Sequence, residues 1–163
     1  DAGAFVVSSF SKYFGMTGWR LGWIVVPEEY IPMANTLAQN LFISAPSIAQ
    51  HAALACFTAE AEEIFEERRL EFARRKNFLS NELRNLGFNI PTSIQGAFYI
   101  YADISNFSQN SELFCRDLLN QNQVAITPGA DFGEYKAEKF VRFAFTTSMA
   151  DIELGLERLK MAL

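Results

Sequence analysis

Apolar and polar positions alternate along this chain in two rhythms, and the rhythm decides the element. Near the start, Ala4-Phe5-Val6-Val7 is a continuous apolar run with β-branched residues, and Trp23-Ile24-Val25-Val26 is a second. Runs of this kind predict buried strands, the second stopped by Pro27. Pro27-Glu28-Glu29 then predicts a helix start, a proline followed by acids at the positive end, running toward Gln39 with a break near Pro32. Phe42 to Ser47 reads as a loop that turns into another helix. In that helix Ile48, Ala49, Ala52, Ala53, Ala55 and Cys56 are small and apolar, which predicts close packing.

From Ala59 to Leu86 there is neither glycine nor proline. Ala61, Phe65, Phe72, Leu79, Leu83 and Leu86 recur at helical spacing and form one apolar stripe. Between them Glu62, Glu63, Glu66, Glu67, Arg68, Arg69, Arg74, Arg75 and Lys76 form a solvated face with many i,i+4 pairs. A coiled coil or a nucleic-acid face is the other use of such arginines, but the neighbouring glutamates cancel the field. At about 1.5 Å per residue this helix runs roughly 40 Å, which suits a connector between two lobes. Gly87 is placed to cap it.

After Gly87 the period changes to two. Gly96 to Ile104 alternates and is aromatic, which predicts a strand. Ser111 to Asn120 predicts a helix, Val124 to Thr127 a short strand, and Lys139 to Thr146 a third strand. Ser148 and Asp151 have capping-box spacing, and open a helix with a stripe of Ile152, Leu156, Leu159 and Leu163. Strand, helix, strand, strand, helix makes a small α+β lobe.

Composition narrows the class. Half of the 163 residues are apolar, a globular value. The net charge of −5 and the lack of a basic tract argue against nucleic-acid partners and anionic membranes. No apolar run of about 18 residues is present, and no charged region precedes the first apolar run, so neither a membrane span nor a secretory signal is expected. Cys56 and Cys115 lie in helix-like segments and read as reduced core residues of a cytoplasmic protein. No His/Cys cluster has metal-ligand spacing, so no metal is expected. His51, the single histidine, sits among alanines and reads as structural.

The chemistry concentrates between the first two strands, in Ser8 to Trp23. Lys12 falls at the end of one strand and Arg20 at the start of the next, with three glycines between Gly15 and Gly22. A neutral lysine amine can form a Schiff base with an aldehyde. Ser9, Ser11 and Arg20 together suit a phosphate, hydroxyl donors beside a planar bidentate fork. An aldehyde and a phosphate on one cofactor describe pyridoxal phosphate. Ser9-Phe10-Ser11-Lys12 also has the Ser-x-x-Lys spacing of β-lactamases, but the companion Ser-Asp-Asn and Lys-Thr-Gly tripeptides do not occur.

The run Ser9-Phe10-Ser11-Lys12-x-x-x-Met16-Thr17-Gly18-Trp19-Arg20-Leu21-Gly22-Trp23 closely resembles the cofactor-lysine signature of class I/II aminotransferases, in the fold-type I pyridoxal-phosphate superfamily. The resemblance implies an α/β and α+β architecture: the end of the large domain over residues 1–58, a long connecting helix over 59–87, and the small C-terminal domain over 88–163. It implies that Lys12 holds pyridoxal 5'-phosphate and that Ser9 and Arg20, with Ser11 nearby, hold its phosphate. The family's features upstream of the lysine are an Asn-Pro turn, an aspartate and a tyrosine. None is in this sequence, so the chain is expected to be the C-terminal part of a longer enzyme and inactive alone.

Arg142 is the second residue of interest. In Phe140-Val141-Arg142-Phe143-Ala144 it shares a strand face with Phe140 and Ala144, where a charge is costly unless paired. A buried salt bridge or an edge position is one reading. An arginine held for a carboxylate ligand is the other, and here the Val-Arg-x-x-Phe context resembles the aminotransferase segment that binds the substrate α-carboxylate. Ser44-Ala45-Pro46 is a weaker substrate-loop candidate on the same resemblance. The implied activity moves an amino group between an amino acid and a 2-oxo acid, in a homodimer when full length. A carbon–sulfur lyase of the same fold and the ligand-sensing domain of a transcription regulator are the alternatives.

Overall fold

The computed structural model describes residues 3–163. The chain divides into two compact units, with the division between Arg69 and Leu70.

In the first unit β1 (Val6–Ser9) pairs antiparallel with β2 (Gly22–Val25), with Val7 opposite Ile24 and Ser9 opposite Gly22. Gly22 is needed at this crossing, since a Cβ there would lie 2.7 Å from the Ser8 carbonyl oxygen. The two strands form as the β-branched runs predict, but they are not buried. Val7 is 75% exposed and Phe5, Val6, Ile24 and Val25 are all more than half exposed. A ribbon of two strands has two faces to cover, and burial requires a second packed layer. In this unit the buried cluster is instead Phe10, Met16 and Ala53, with Phe14, Leu21, Ala52 and Cys56 against it.

A single 3₁₀ turn at Glu28–Tyr30 leads into α1 (Ile31–Leu41). Pro32 occupies its first turn, where a missing N–H is harmless, so the break expected there is a helix start. α2 (Ser47–Leu54) follows Pro46 and buries Ala49 and Ala53, while Ile48 faces solvent. α3 (Ala59–Asn85) is the long gap-free helix, and the division between the units falls within it. Thr58 caps it, its hydroxyl accepting the Ala61 N–H at 3.2 Å. At its other end Gly87 (φ +99°) donates to the Arg84 carbonyl and Phe88 to that of Leu83, the double bond of a Schellman cap.

In the second unit the elements are β3 (Tyr99–Asp103), α4 (Ser111–Asn122), β4 (Thr127–Pro128), β5 (Phe140–Ala144) and α5 (Met149–Ala162). The sheet is antiparallel in the order β3-β5-β4. Val141, Phe143 and Phe145 join Ile100, Ala102 and Ile104 to make the apolar face, covered by Leu79 and Leu83 of α3, Cys115 and Leu118 of α4, and Ile152, Leu156 and Leu159 of α5. Each of the valine, leucine, isoleucine and phenylalanine side chains among them contributes roughly 1.5–3 kcal/mol by leaving water. Leu163 is exposed, so the stripe of α5 ends at Leu159. Only Thr127 and Pro128 pair in β4, because Gln123 turns left-handed and the Val124 N–H bonds back to the Leu118 carbonyl to cap α4. An isolated bridge of Asn89 with Asp103 extends the sheet beyond the expected strands.

Candidate cofactor and substrate site

The lysine loop is built on the β1–β2 ribbon. One rung past the paired strands, the Phe10 N–H donates to the Leu21 carbonyl at 3.0 Å. The chain then closes two turns, Gly15 N–H to the Lys12 carbonyl and Met16 N–H to the Phe10 carbonyl, both at 3.0 Å. Gly15 supplies the left-handed φ of +67° that these turns need. Ser9 Oγ accepts the Ser11 N–H at 3.0 Å, and the Thr17 hydroxyl donates to the Ser11 carbonyl. Arg20, itself left-handed (φ 53°), donates Nη1 to the Thr17 carbonyl at 2.9 Å. Ser9, Ser11, Thr17 and Arg20 are therefore tied into one loop that carries Lys12. Ser9, Lys12, Thr17 and Arg20 are exposed on it, and Ser11 is half-buried.

Aromatic rings hold the loop from beneath. Phe10 meets Phe14 and Trp23, each at 4.9 Å between centroids, and Tyr13 and Phe14 meet Phe65 of α3 at 5.4 and 5.6 Å. The Tyr13 hydroxyl donates to Glu66 at 2.8 Å, and Arg69 holds the other oxygen of that carboxylate at 2.7 Å. Arg69 and then Tyr13 keep Glu66 below the usual carboxylate range, and the bond to Glu66 raises Tyr13 above 10.0. Sequence reasoning missed both Tyr13 and Glu66. They lie 53 positions apart, and no local pattern joins them.

Arg142 belongs to the second unit, on the central strand rather than an edge. It faces away from Val141 and Phe143, opposite Tyr101 on one side and Thr127 on the other. Neither a salt bridge nor an edge position explains it: among the described residues no carboxylate lies within 4.0 Å of its guanidinium. Its partners are aromatic. Its Cζ stands 4.6 Å over the Phe132 ring and 5.5 Å from that of Tyr99, and Nη2 donates to Thr127 Oγ1 at 3.3 Å. Nε is buried and has no hydrogen-bond partner among the described residues. Phe132 is carried by the turn Gly129–Phe132, and Gly129 is required there: a Cβ would sit 2.8 Å from both the Tyr101 hydroxyl and the Phe140 carbonyl oxygen.

The sequence profile described as aminotransferase class I and II matches residues 1–159. The chain belongs to that family. It is 41% identical to a valine–pyruvate aminotransferase of Mycobacterium tuberculosis over 96% of its own length and 40% of that protein's. It is 37% identical to a Methanocaldococcus jannaschii (5-formylfuran-3-yl)methyl phosphate transaminase, over 95% of the chain and 40% of the relative. A crystal structure of an aminotransferase from Mycobacterium tuberculosis superposes with a TM-score of 0.93 at 41% identity, covering 98% of this chain and 41% of that one. A Methanococcus jannaschii structure, described as similar in its active site to kynurenine aminotransferases, gives 0.90 at 36% identity over 97% and 42%. The chain thus spans about 40% of the curated relatives it matches, and over that span it has the fold-type I architecture of the aminotransferases.

Aminotransferases of class I and II are in general dependent on pyridoxal phosphate. The donor set of the lysine loop fits that group. Hydroxyls of Ser9, Ser11 and Thr17 and the fork of Arg20 stand together, and no carboxylate occurs between Ser8 and Trp23. Among the described residues Arg20 has no ion-pair partner.

Elsewhere, Pro46 leads into α2 and the Ala45 carbonyl accepts from the Gln50 side chain, so Ser44-Ala45-Pro46 forms a helix start. His51 is exposed. Both cysteines are free. Burial pushes the Cys115 thiol up to about 11, and raises Cys56, which donates to the Met16 sulfur at 3.3 Å. Among the described residues no group of three His, Cys, Asp or Glu could hold a metal ion, and no helix is long and apolar enough to cross a membrane.

Proposed function

We propose that this chain contributes the lysine loop and the carboxylate-binding arginine of a pyridoxal-phosphate-dependent aminotransferase, moving an amino group between an amino acid and a 2-oxo acid. The observation that carries the reading is the hydrogen-bonded loop from Ser9 to Arg20, in a chain of the aminotransferase family. Lys12 is the amine that would hold the cofactor's aldehyde end, and Ser9, Ser11 and Arg20 would hold its phosphate. When bound, the cofactor supplies the electron sink for breaking a bond at the substrate α-carbon. Lys12, once released, is the base that moves a proton from that carbon. The rings of Phe10, Tyr13 and Phe14 keep its loop in one place, so little reorganisation accompanies each proton transfer.

Arg142 would dock the α-carboxylate. Its unpartnered Nε supports this role, since buried donors are rarely left without an acceptor. A guanidinium meets a carboxylate through two parallel N–H bonds and so sets its orientation as well as its position. The assembly proposed is a cytoplasmic homodimer.

Borohydride reduction of the protein with pyridoxal phosphate, followed by peptide mass mapping, is expected to mark Lys12. A label on another lysine would overturn the assignment. Product analysis of the full-length protein with an amino acid and 2-oxoglutarate should give a new 2-oxo acid and glutamate, while this chain alone should give none; release of a thiol with pyruvate would make the enzyme a lyase.

A further inference from the structure

The second unit carries a groove that the aminotransferase reading does not use. It has a volume of about 350 Å³ and lies between α3 and the loop at Ser93–Ile94, lined from the helix by Lys76, Asn77, Ser80, Asn81 and Arg84. Lys76, Ser80 and Arg84 follow one another at intervals of four, so they stack along one helix face, with Asn77 and Asn81 in the adjoining row.

Three features set this face apart. The first is its charge. Arg69, Arg74 and Arg75 of the same helix each have a glutamate partner, while Lys76 and Arg84, like Arg68 outside the groove, have none among the described residues. Lys76 donates to the Ile94 carbonyl at 3.0 Å, which fixes the loop and leaves two ammonium protons for other acceptors. The second is Ser80. It is 5% exposed, and its hydroxyl is buried with no hydrogen-bond partner among the described residues. A buried polar group without a partner needs an explanation, and a missing acceptor or donor above the groove floor is one. The third is what is absent from the lining: no carboxylate, in a chain whose net charge is −5. Two unpaired cations, two amides and two hydroxyls form a donor-rich wall for anionic oxygens.

We propose that this groove binds a small anion, a phosphate or carboxylate group on a polar molecule, with Lys76 and Arg84 at its two ends and Ser80 beneath it. Its volume is at the lower end of the roughly 300–1,000 Å³ of small-molecule sites. The proposal does not depend on the role of Lys12 or Arg142.

The test is a titration of the isotopically labelled full chain, first with inorganic phosphate and then with citrate, followed by amide NMR at low ionic strength. Saturable shifts are expected at Asn77, Ser80, Asn81 and Ser93. Saturation by phosphate alone would assign phosphate esters, and by citrate alone carboxylates; either supports the proposal. Lys76→Met and Arg84→Met should each weaken binding at least about tenfold, as expected for loss of a charge-assisted bond. Asn81→Asp places a negative charge in the groove and should abolish binding with the fold intact by circular dichroism. Arg20→Ala and Arg142→Ala should leave these shifts unchanged. Absence of saturation at millimolar anion, retention of binding in the Lys76→Met/Arg84→Met double variant, or shifts that disappear with Arg20→Ala would each overturn the proposal.

Discussion

Arg142 rests between two aromatic rings, with a donor left over. A flat delocalised cation fits that setting, and an ammonium does not. In the full-length protein Arg142→Ala should therefore raise the KM for an amino acid by about tenfold or more, the loss expected for a charge-assisted bond of roughly 1.5–3 kcal/mol. Arg142→Lys should recover little of it. Amines without a carboxylate should be affected less, and equal losses for both would assign Arg142 to the fold. Tyr13 gives a second expectation. Its raised pKa comes chiefly from the bond to Glu66. That contribution to stability is present below 10.0 and is lost as pH rises through the higher folded value. Glu66→Gln should bring the ultraviolet titration of Tyr13 back toward that of a free tyrosine; an unmoved curve would show that the bond does not form in solution. That Ser9, Lys12 and Arg20 share one loop was legible because the signature packs them within one short stretch. Phe132 and Tyr99 were not legible as partners of Arg142. Phe132 approaches through a turn that only Gly129 permits and Tyr99 through the pairing of β3 with β5, and the alternation of β5 reports a face but not what stands on it.

Among the elements, α3 was the most legible, because its stripe repeats over many turns without a glycine or proline. Its ends were legible too, through Gly87. β4 was less so, since its apolar letters suggest a strand from Val124, while the Val124 N–H serves the end of α4 and of the expected positions only Thr127 pairs. β1 and β2 form where their apolar runs predict and stand exposed, because a continuous apolar run states what a strand can cover and no further strand lies beside them among the described residues. Within α3, Glu71 accepts from both Arg74 and Arg75, and Arg75 also donates to the Thr147 carbonyl at 2.6 Å, pinning the segment before α5. Arg74 first and Arg75 second hold Glu71 down to about 2. A depressed carboxylate stabilises the fold above its unfolded value of 4.5, and that contribution is lost as pH falls toward about 2. In Glu71→Gln, urea midpoints measured by circular dichroism should fall less steeply across this window than in the parent. An identical slope would show that the two arginines do not act through Glu71.

At the scale of the molecule, the exposed ribbon of the first unit is the main liability. Val7 and Ile24 stand opposite each other and are 75% and 52% exposed, on strands with no further neighbour among the described residues. Apolar strands with open edges favour association. Sedimentation velocity of the chain should show concentration-dependent association, and Val7→Lys with Ile24→Glu should reduce it; a strictly monomeric parent would contradict this. The two sheets also differ in how they come into being. β1 and β2 are neighbours along the chain, so their ribbon, with the lysine loop inside it, is able to close as soon as Val25 has been made. In the second unit β5 is the central strand and the last of the three to be synthesised. Until it arrives β4 has no strand to pair with and β3 has only the bridge of Asp103 to Asn89, and such distant pairings form slowly. The strand that completes the sheet is also the one that carries Arg142. The aromatic setting of Arg142 is therefore complete only when β3, β5 and the turn at Gly129–Phe132 have come together, whereas the lysine loop closes on a local ribbon and is then held by Phe65 of α3.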